Sequence, residues 1–279
     1  MALEQPVIFE NETFWQYQTV ENSYEFERVD IVYWRDFLKN QWALPFYAAG
    51  LYLVTIFGLE YYMKERKAFN LRVPLILWNG ALGIFSIMGF YRTFPPLFNS
   101  FMNDGLMRSI CILDFPNVQM TFWGILFGVS KFIELGDTVF IVLRKRPLQL
   151  LQWYHHIVTL IIVWVTLPYA EPVGQVYVVM NYGVHAVMYP YFALKMAGID
   201  VPKRIANMIT TAQLGQMIAG FLLNALTIAL RGSGFSCYRT PGSILAYLGV
   251  YGSFMVLFGK LFTNSVLKAD KKKTSAKEL

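Results

Sequence analysis

Charge is scarce in this 279-residue chain: 15% of it is Asp, Glu, Lys or Arg, while 56% is hydrophobic and 17% aromatic. That balance leaves too few polar groups to coat a soluble fold of this size, and it reads as a membrane protein. Histidine and cysteine are scarcer still, at three and two. Three imidazoles are too few for a membrane di-iron centre, which needs many ligands. Both cysteines, Cys111 and Cys237, fall outside the apolar runs, so no thiol is available as a nucleophile at membrane depth. The first forty residues are acidic and lack a basic start followed by a short apolar block. No removable signal peptide is expected, and the first long apolar stretch inserts as an anchor. Solenoid-period repeats are absent, and the lysine-rich tail is the one segment of low complexity.

Seven stretches read as spanning helices, at about 42–63, 73–91, 118–143, 148–169, 173–196, 205–230 and 243–267. The expected fold class is an all-α membrane protein of seven transmembrane helices. Its organisation is a lumenal N-terminal segment (1–40), a spanning domain (41–268) and a basic cytosolic tail (269–279). The connection between the second and third spans, Arg92 to Asn117, is rich in Phe, Leu and Met and is expected to form an amphipathic helix lying on the membrane surface.

Positive charge selects the cytosolic side of short loops. Lys64, Arg66, Lys67 and Arg72, then Arg144, Lys145 and Arg146, then Lys195, Lys203 and Arg204, and finally the tail lysines all fall on one side if there are seven spans. The acidic N-terminal segment falls on the other, giving a lumenal N-terminus and a cytosolic C-terminus. Asn11-Glu12-Thr13 is a glycosylation sequon, usable only on the lumenal side. Cys111 and Cys237 also fall there, where oxidation is permitted, and are expected to pair.

Ionisable residues at membrane depth are costly and usually face a bundle interior. In 118–143, Lys131, Glu134 and Asp137 follow i, i+3 steps and share a helical face. In 148–169, Gln152 meets His155 and His156 at i+3 and i+4. In 173–196, Asn181 and His185 are four apart, and Pro190 is expected to kink the helix beside them. Thr210, Gln213 and Gln216 repeat at i+3, and Lys260 and Asn264 are four apart. Counted inward from the cytosolic ends at about 1.5 Å per residue, these groups lie in the cytosolic half or near the midplane. Five helices therefore aim polar groups at one chamber with a cytosolic mouth. The competing interpretation of a single buried histidine is a hydrogen-bonded packing residue; all three histidines at one depth with Lys, Glu, Asp and amides favour a site.

A zinc held by His155, His156, His185 and a carboxylate satisfies the ligand count, but adjacent histidines diverge by roughly 100° on a helix and chelate poorly. No metal is expected. Nucleophilic catalysis fits better: an imidazole oriented by a carboxylate or amide attacks an acyl thioester, and a second group manages protons. Basic residues at the mouth suit a phosphate-bearing carrier such as coenzyme A, and equally suit plain positive-inside orientation.

In order, "KFIELGDT", "VLRKRP", "QWYHH", "NYGVHAVMYPYF" and "TTAQLGQ" resemble the KxxExxDT element, the basic stretch after it, the histidine box, and the NxxxHxxMYxYY and TxxQxxQ elements of the very-long-chain fatty acid elongase (ELO) family. The resemblance implies a 3-ketoacyl-CoA synthase of the endoplasmic reticulum, with the seven helices enclosing an acyl tunnel. Acyl-CoA and malonyl-CoA give a 3-ketoacyl-CoA two carbons longer, with CoA and CO2 released. It implies His155 as the acyl acceptor, assisted by His156 and His185, with Asp137, Glu134, Asn181 and Gln152 around the imidazoles. Lys131, Arg144, Lys145, Lys203 and Arg204 are implied at the CoA end, and Tyr189, Gln213, Gln216 and Lys260 as further substrate contacts. Decarboxylation of malonyl-CoA supplies the carbanion, so no cofactor is required. The implied partners are membrane lipid and the reductase and dehydratase enzymes of the elongation cycle. No nucleic-acid partner is expected, and homo-oligomerisation stays open.

Two positions depart from the family pattern. Phe192 replaces the last tyrosine of MYxYY, and Gln152 replaces the first histidine of the box. Glutamine keeps hydrogen bonding and loses basicity. Trp153-Tyr154 and "MNYGVHAVMY" resemble the subgroup acting on saturated and monounsaturated chains, whereas Gln152 resembles elongases of polyunsaturated chains. A seven-span receptor or transporter with a polar core is the alternative of a different class; a receptor would open its chamber to the lumen or exterior. The basic tail suits retrieval to the endoplasmic reticulum or contact with anionic lipid.

Overall fold

The computed structural model describes residues 22–113 and 116–267. The Asn11 sequon and the tail lysines lie outside the described residues. Those described form nine α-helices and no β-strand: α1 (Ile31–Asn40), α2 (Leu44–Met63), α3 (Arg72–Cys111), α4 (Val118–Glu134), α5 (Gly136–Leu143), α6 (Leu150–Thr166), α7 (Pro172–Ala197), α8 (Lys203–Gly232) and α9 (Pro241–Phe262). Their starts follow ordinary capping rules. Asp30, Asn117 and Thr240 accept from the backbone amides of Tyr33, Met120 and Ser243, and prolines open α7 and α9.

Every expected span falls on helix. Five helical stretches are long and apolar enough to cross a membrane: Leu44–Met63, Arg72–Cys111, Leu150–Tyr169, Lys203–Gly232 and Pro241–Ser265. The chain is a multi-pass membrane protein. Of the remaining two expected spans, 118–143 carries Lys131, Glu134 and Asp137, and α7 carries Asn181 and His185. The stretch 118–143 also breaks at Leu135 into two helices.

The connection after the second span differs from expectation. It is continuous with that span: α3 runs 40 residues, through Pro95 and Pro96, with its non-helical point at Gly105 (φ 76°). Leu97, Ile110 and Cys111 of this extension are buried, which ties it to the core. The most extensive helix pair is α3 with α7. Gly89 permits it: a side chain there would overlap the ring of Tyr182, whose hydroxyl donates to the Trp123 carbonyl at 2.9 Å. Small residues at such crossings let helices approach without the hydrophobic drive that water supplies to soluble proteins.

At the end of the bundle assigned to the lumen, Cys111 and Cys237 are joined, with an S–S distance of 2.05 Å, as sidedness led us to expect. Beside them Arg239 donates to Glu171 at 3.0 Å and to Asn224 at 2.8 Å, binding the start of α7 to α8. The segment before α1 is held by Glu27, which is wholly buried. Arg92 donates to its two oxygens at 2.8 and 2.6 Å, Trp123 donates at 2.8 Å and the Tyr24 amide at 2.8 Å.

Burial alone would raise the Glu27 pKa, but the hydrogen bonds from Arg92, Trp123 and Tyr24 outweigh it and hold the carboxyl below its ordinary value. A depressed folded-state pKa stabilises fully above the unfolded value, and the gain is lost as pH falls through it toward the folded one. We therefore expect amide hydrogen exchange across residues 24–30 to accelerate as pH is lowered from neutrality to about 3, after correction for intrinsic exchange. Glu27→Gln should lose ~3 kcal/mol of local protection at neutral pH and most of the acid response. An unchanged acid response in Glu27→Gln would assign it to another group.

Candidate active site

Glu134 and Asp137 stand on either side of the interruption at Leu135, whose own φ and ψ (−57° and −29°) stay helical. Glu134 ends α4, and Asp137 lies in the first turn of α5. Gly136 is required between them, because a Cβ at that position would lie 2.7 Å from the Trp78 ring. The same indole donates to Asp137 Oδ1 at 2.6 Å. Trp78 thus sets both the backbone path and the orientation of the carboxylate.

Around Glu134 the contacts form one cluster. Lys131 Nζ donates to the two Glu134 oxygens at 2.8 and 2.9 Å and to Asn181 Oδ1 at 3.0 Å. Ser130 donates to Glu134 Oε1 at 2.9 Å, and the lysine ammonium lies 4.1 Å from the Phe127 ring centroid. Lys131 and Glu134 are each only 3% exposed, so every polar contact is internal. His185 closes the cluster, with Nδ1 3.9 Å from Glu134 and Nε2 3.4 Å from Asn181 Nδ2.

Asp137 anchors the second cluster. Tyr189 donates to its Oδ2 at 2.9 Å, and His156 Nε2 lies 4.0 Å from the same oxygen. Tyr189 also meets His185 edge to face, with centroids 5.1 Å apart, which links the two clusters. The rings of His155 and His156 are 5.6 Å apart. His155 is different from its neighbours: its ring packs on Phe254 and Phe258, with centroids at 4.9 and 5.7 Å, and neither nitrogen is hydrogen-bonded. The α6 backbone beneath it is pinned by Thr159, which donates to the His155 carbonyl.

These groups line a cavity of about 700 Å³ that includes Gln152, Asn181, Gln213 and Gln216 and is fringed by Arg144, Arg146 and Lys195. A second, largely apolar cavity of about 160 Å³ borders it, lined by Met120, Phe127, Val163, Tyr251 and Phe254 and reaching Ile31, Trp34 and Leu38 of α1. Asn181 and Gln216 line both. A polar chamber with free imidazole nitrogen, joined to an apolar pocket, suits a molecule with a reactive polar head and a hydrocarbon tail. No group of three His, Cys, Asp or Glu among the described residues is arranged to hold a metal ion.

Not all the sequence-predicted residues gather here. Lys131 is locked to Glu134 inside the bundle rather than at the mouth. Lys145 donates to the Lys64 and Arg66 carbonyls at 2.8 and 3.1 Å, which commits its ammonium to fixing the adjoining loop. Lys203, Arg204, Lys260 and Asn264 are exposed and line neither cavity. Arg144 does reach the chamber, 3.4 Å from the Met196 sulfur. Gln213 donates to the Met188 sulfur at 3.2 Å. Sequence reasoning missed Trp78, Phe254 and Phe258. None has a spacing signal; only the packing of α3 and α9 on the others reveals them.

Residues 37–274 match the sequence profile of the family described as "ELO: GNS1/SUR4 family". The chain belongs to the ELO family. Among its relatives, "Very long chain fatty acid elongase 6" of Drosophila melanogaster is 41% identical over 84% of this chain and 75% of its own length. "Very long chain fatty acid elongase 3" of Homo sapiens is 39% identical over 84% of this chain and 87% of its own length. "Very long chain fatty acid elongase 6" of Mus musculus is 38% identical, covering 91% of this chain and 96% of its own length. The ELO match spans α2 to α9 and therefore the whole polar chamber.

The buried ion pair of this ELO protein gives a direct test. Lys131→Met leaves Glu134 buried without its counter-charge and should cost ~3–5 kcal/mol, because removing one partner of a buried pair leaves an uncompensated charge. Adding Glu134→Gln should restore most of that loss in thermal unfolding in detergent. A double variant as unstable as Lys131→Met would refute charge pairing as the cause.

Proposed function

We propose that the chain is a fatty acid elongase of the condensing type, a 3-oxoacyl-CoA synthase in the endoplasmic reticulum membrane. It joins a long-chain acyl-CoA to malonyl-CoA, giving a 3-ketoacyl-CoA two carbons longer, CoA and CO2. The observation that carries this reading is the junction of a three-histidine polar chamber with an apolar pocket at one level of the bundle. The elongase names of the relatives support it. In this reading seven helices span the membrane with the N-terminus lumenal and the C-terminus cytosolic. The basic residues then fall on the cytosolic side and the disulfide on the lumenal side.

His155 is the acyl acceptor. Its ring nitrogens are free of protein partners, as attack on a carbonyl requires, and Phe254 and Phe258 fix its plane. In the first half-reaction imidazole nitrogen bonds to the thioester carbonyl carbon, the C–S bond breaks, and CoA leaves as the thiol with the proton from the other ring nitrogen. In the second, malonyl-CoA loses CO2, the electron pair of that bond forms the new C–C bond as the C–N bond breaks, and the departing His155 nitrogen takes up one proton from solvent to restore the neutral imidazole. His156 beside Asp137, and His185 beside Glu134, are placed to move protons and orient the malonyl thioester. Arg144 and Arg146 at the rim supply charge for CoA phosphates. Saturated and monounsaturated chains are the preferred substrates, on the Trp153-Tyr154 pair. The reductase and dehydratase enzymes that complete a two-carbon cycle consume the product.

Purified protein given malonyl-CoA and a panel of long-chain acyl-CoAs should release CO2 and form 3-ketoacyl-CoA, fastest with saturated and monounsaturated chains. With acyl-CoA alone, intact mass should show one added acyl group. His155→Ala should abolish both the adduct and condensation; an adduct persisting in that variant would move the acceptor elsewhere, and no condensation with any chain would reject the assignment.

A further inference from the structure

The two cavities are offset by one helical turn. On α6, His155 lines the polar chamber and Thr159 the apolar one; on α9, Phe258 and Phe254 divide in the same way; on α4, Glu134 and Lys131 do so. Asn181 and Gln216 stand at the boundary. A hydrocarbon tail is favoured in the apolar pocket, whereas a carbonyl drawn in with it would lose its hydrogen bonds. The carbonyl of an acyl chain therefore stops at the boundary marked by Asn181 and Gln216, which line the same chamber as His155.

The boundary amides are not equivalent. Asn181 accepts from Lys131 and turns its NH2 toward His185. Gln213, one turn closer to the mouth, donates to Met188. Gln216 is 8% exposed and its amide has no hydrogen-bond partner. Lining both cavities, that amide keeps an N–H uncommitted to the protein and able to meet a ligand. A ligand carbonyl at the boundary would complete it.

We propose that Gln216 donates an amide N–H to the carbonyl oxygen of the acyl chain and is the oxyanion donor for acyl transfer onto and off His155; this rests on the condensing reading above. When the His155 nitrogen bonds to the thioester carbon, the carbonyl π pair moves onto oxygen, and the Gln216 N–H stabilises that negative charge. Collapse re-forms the carbonyl, breaks the C–S bond and releases CoA as described. The same donor serves the second tetrahedral adduct, when the carbanion from malonyl-CoA adds and the C–N bond breaks. A preorganised donor acts most strongly where water is excluded, and Gln216 is held on a 30-residue helix rather than a loop.

The test uses full-length protein in detergent with acyl-CoA alone, reading acyl-enzyme formation by quenched intact mass. Gln216→Met keeps length and lacks the donor. It should acylate about 100-fold more slowly, the loss seen when one oxyanion donor is removed. Its affinity for an alkyl-CoA thioether of the same chain length should stay within about threefold, because that probe has no carbonyl. Gln216→Glu provides a second variant: its acylation rate relative to wild type should rise as pH falls, since a protonated carboxyl is again a donor. Acylation of Gln216→Met near the wild-type rate would overturn the proposal, as would equal losses in acylation and thioether binding, which would make Gln216 a wall of the tunnel. Should Gln216→Met fail to fold, the Gln216→Glu profile decides, and a flat ratio overturns the proposal. Absence of any adduct in wild type would instead remove the histidine-linked mechanism itself.

Discussion

The Lys131–Glu134 pair is the constraint on which the centre of this bundle depends. Two opposite charges buried three residues apart hold together only while their remaining lone pairs and protons are satisfied. Asn181 and Ser130 do this, so α4 cannot rotate against α7 without exposing a charge to hydrocarbon. His185 is positioned by the same contacts. Imidazoles inside a membrane bundle hold their places only within such a frame, because hydrocarbon offers no hydrogen bond to a misplaced polar group.

Within this frame the three imidazoles differ in what they touch, and the proposed reaction draws on that difference. His156 and His185 each lie near a carboxylate, while His155 lies among aromatic rings and keeps its nitrogens uncommitted. A nucleophile tied up in hydrogen bonds would have to break them before attack, whereas a proton carrier benefits from a nearby charge. Trp78 completes the scheme from α3, holding Asp137 by its indole N–H while its ring fixes the backbone at Gly136.

Much of this was legible in the residues. Apolar runs located the helices, the distribution of basic residues paired the cysteines by side, and helical spacing put Lys131 with Glu134, and Asn181 with His185, each pair on one face of its own helix. What counting cannot supply is rotation. Depth along a helix follows from about 1.5 Å per residue, but azimuth depends on what the helix packs against. Lys203, Arg204 and Lys260 are therefore at a plausible height and point away from the chamber. The partner of Asp137 was illegible for a related reason: the Trp78 indole reaches it from another helix. The stretch 118–143 does not read as one apolar span because it is divided into helices of 17 and 8 residues, whereas α6 reads as a span although it carries Gln152, His155 and His156.

The disulfide ties together parts of the chain made at very different moments. Cys111 precedes Cys237 by 126 residues, so all of α4 to α8 must leave the ribosome before the bond can close. It cannot guide the insertion of those helices. It records that they have already arrived correctly, and so makes the last hairpin of the bundle the step at which a misassembled chain is distinguishable from a finished one.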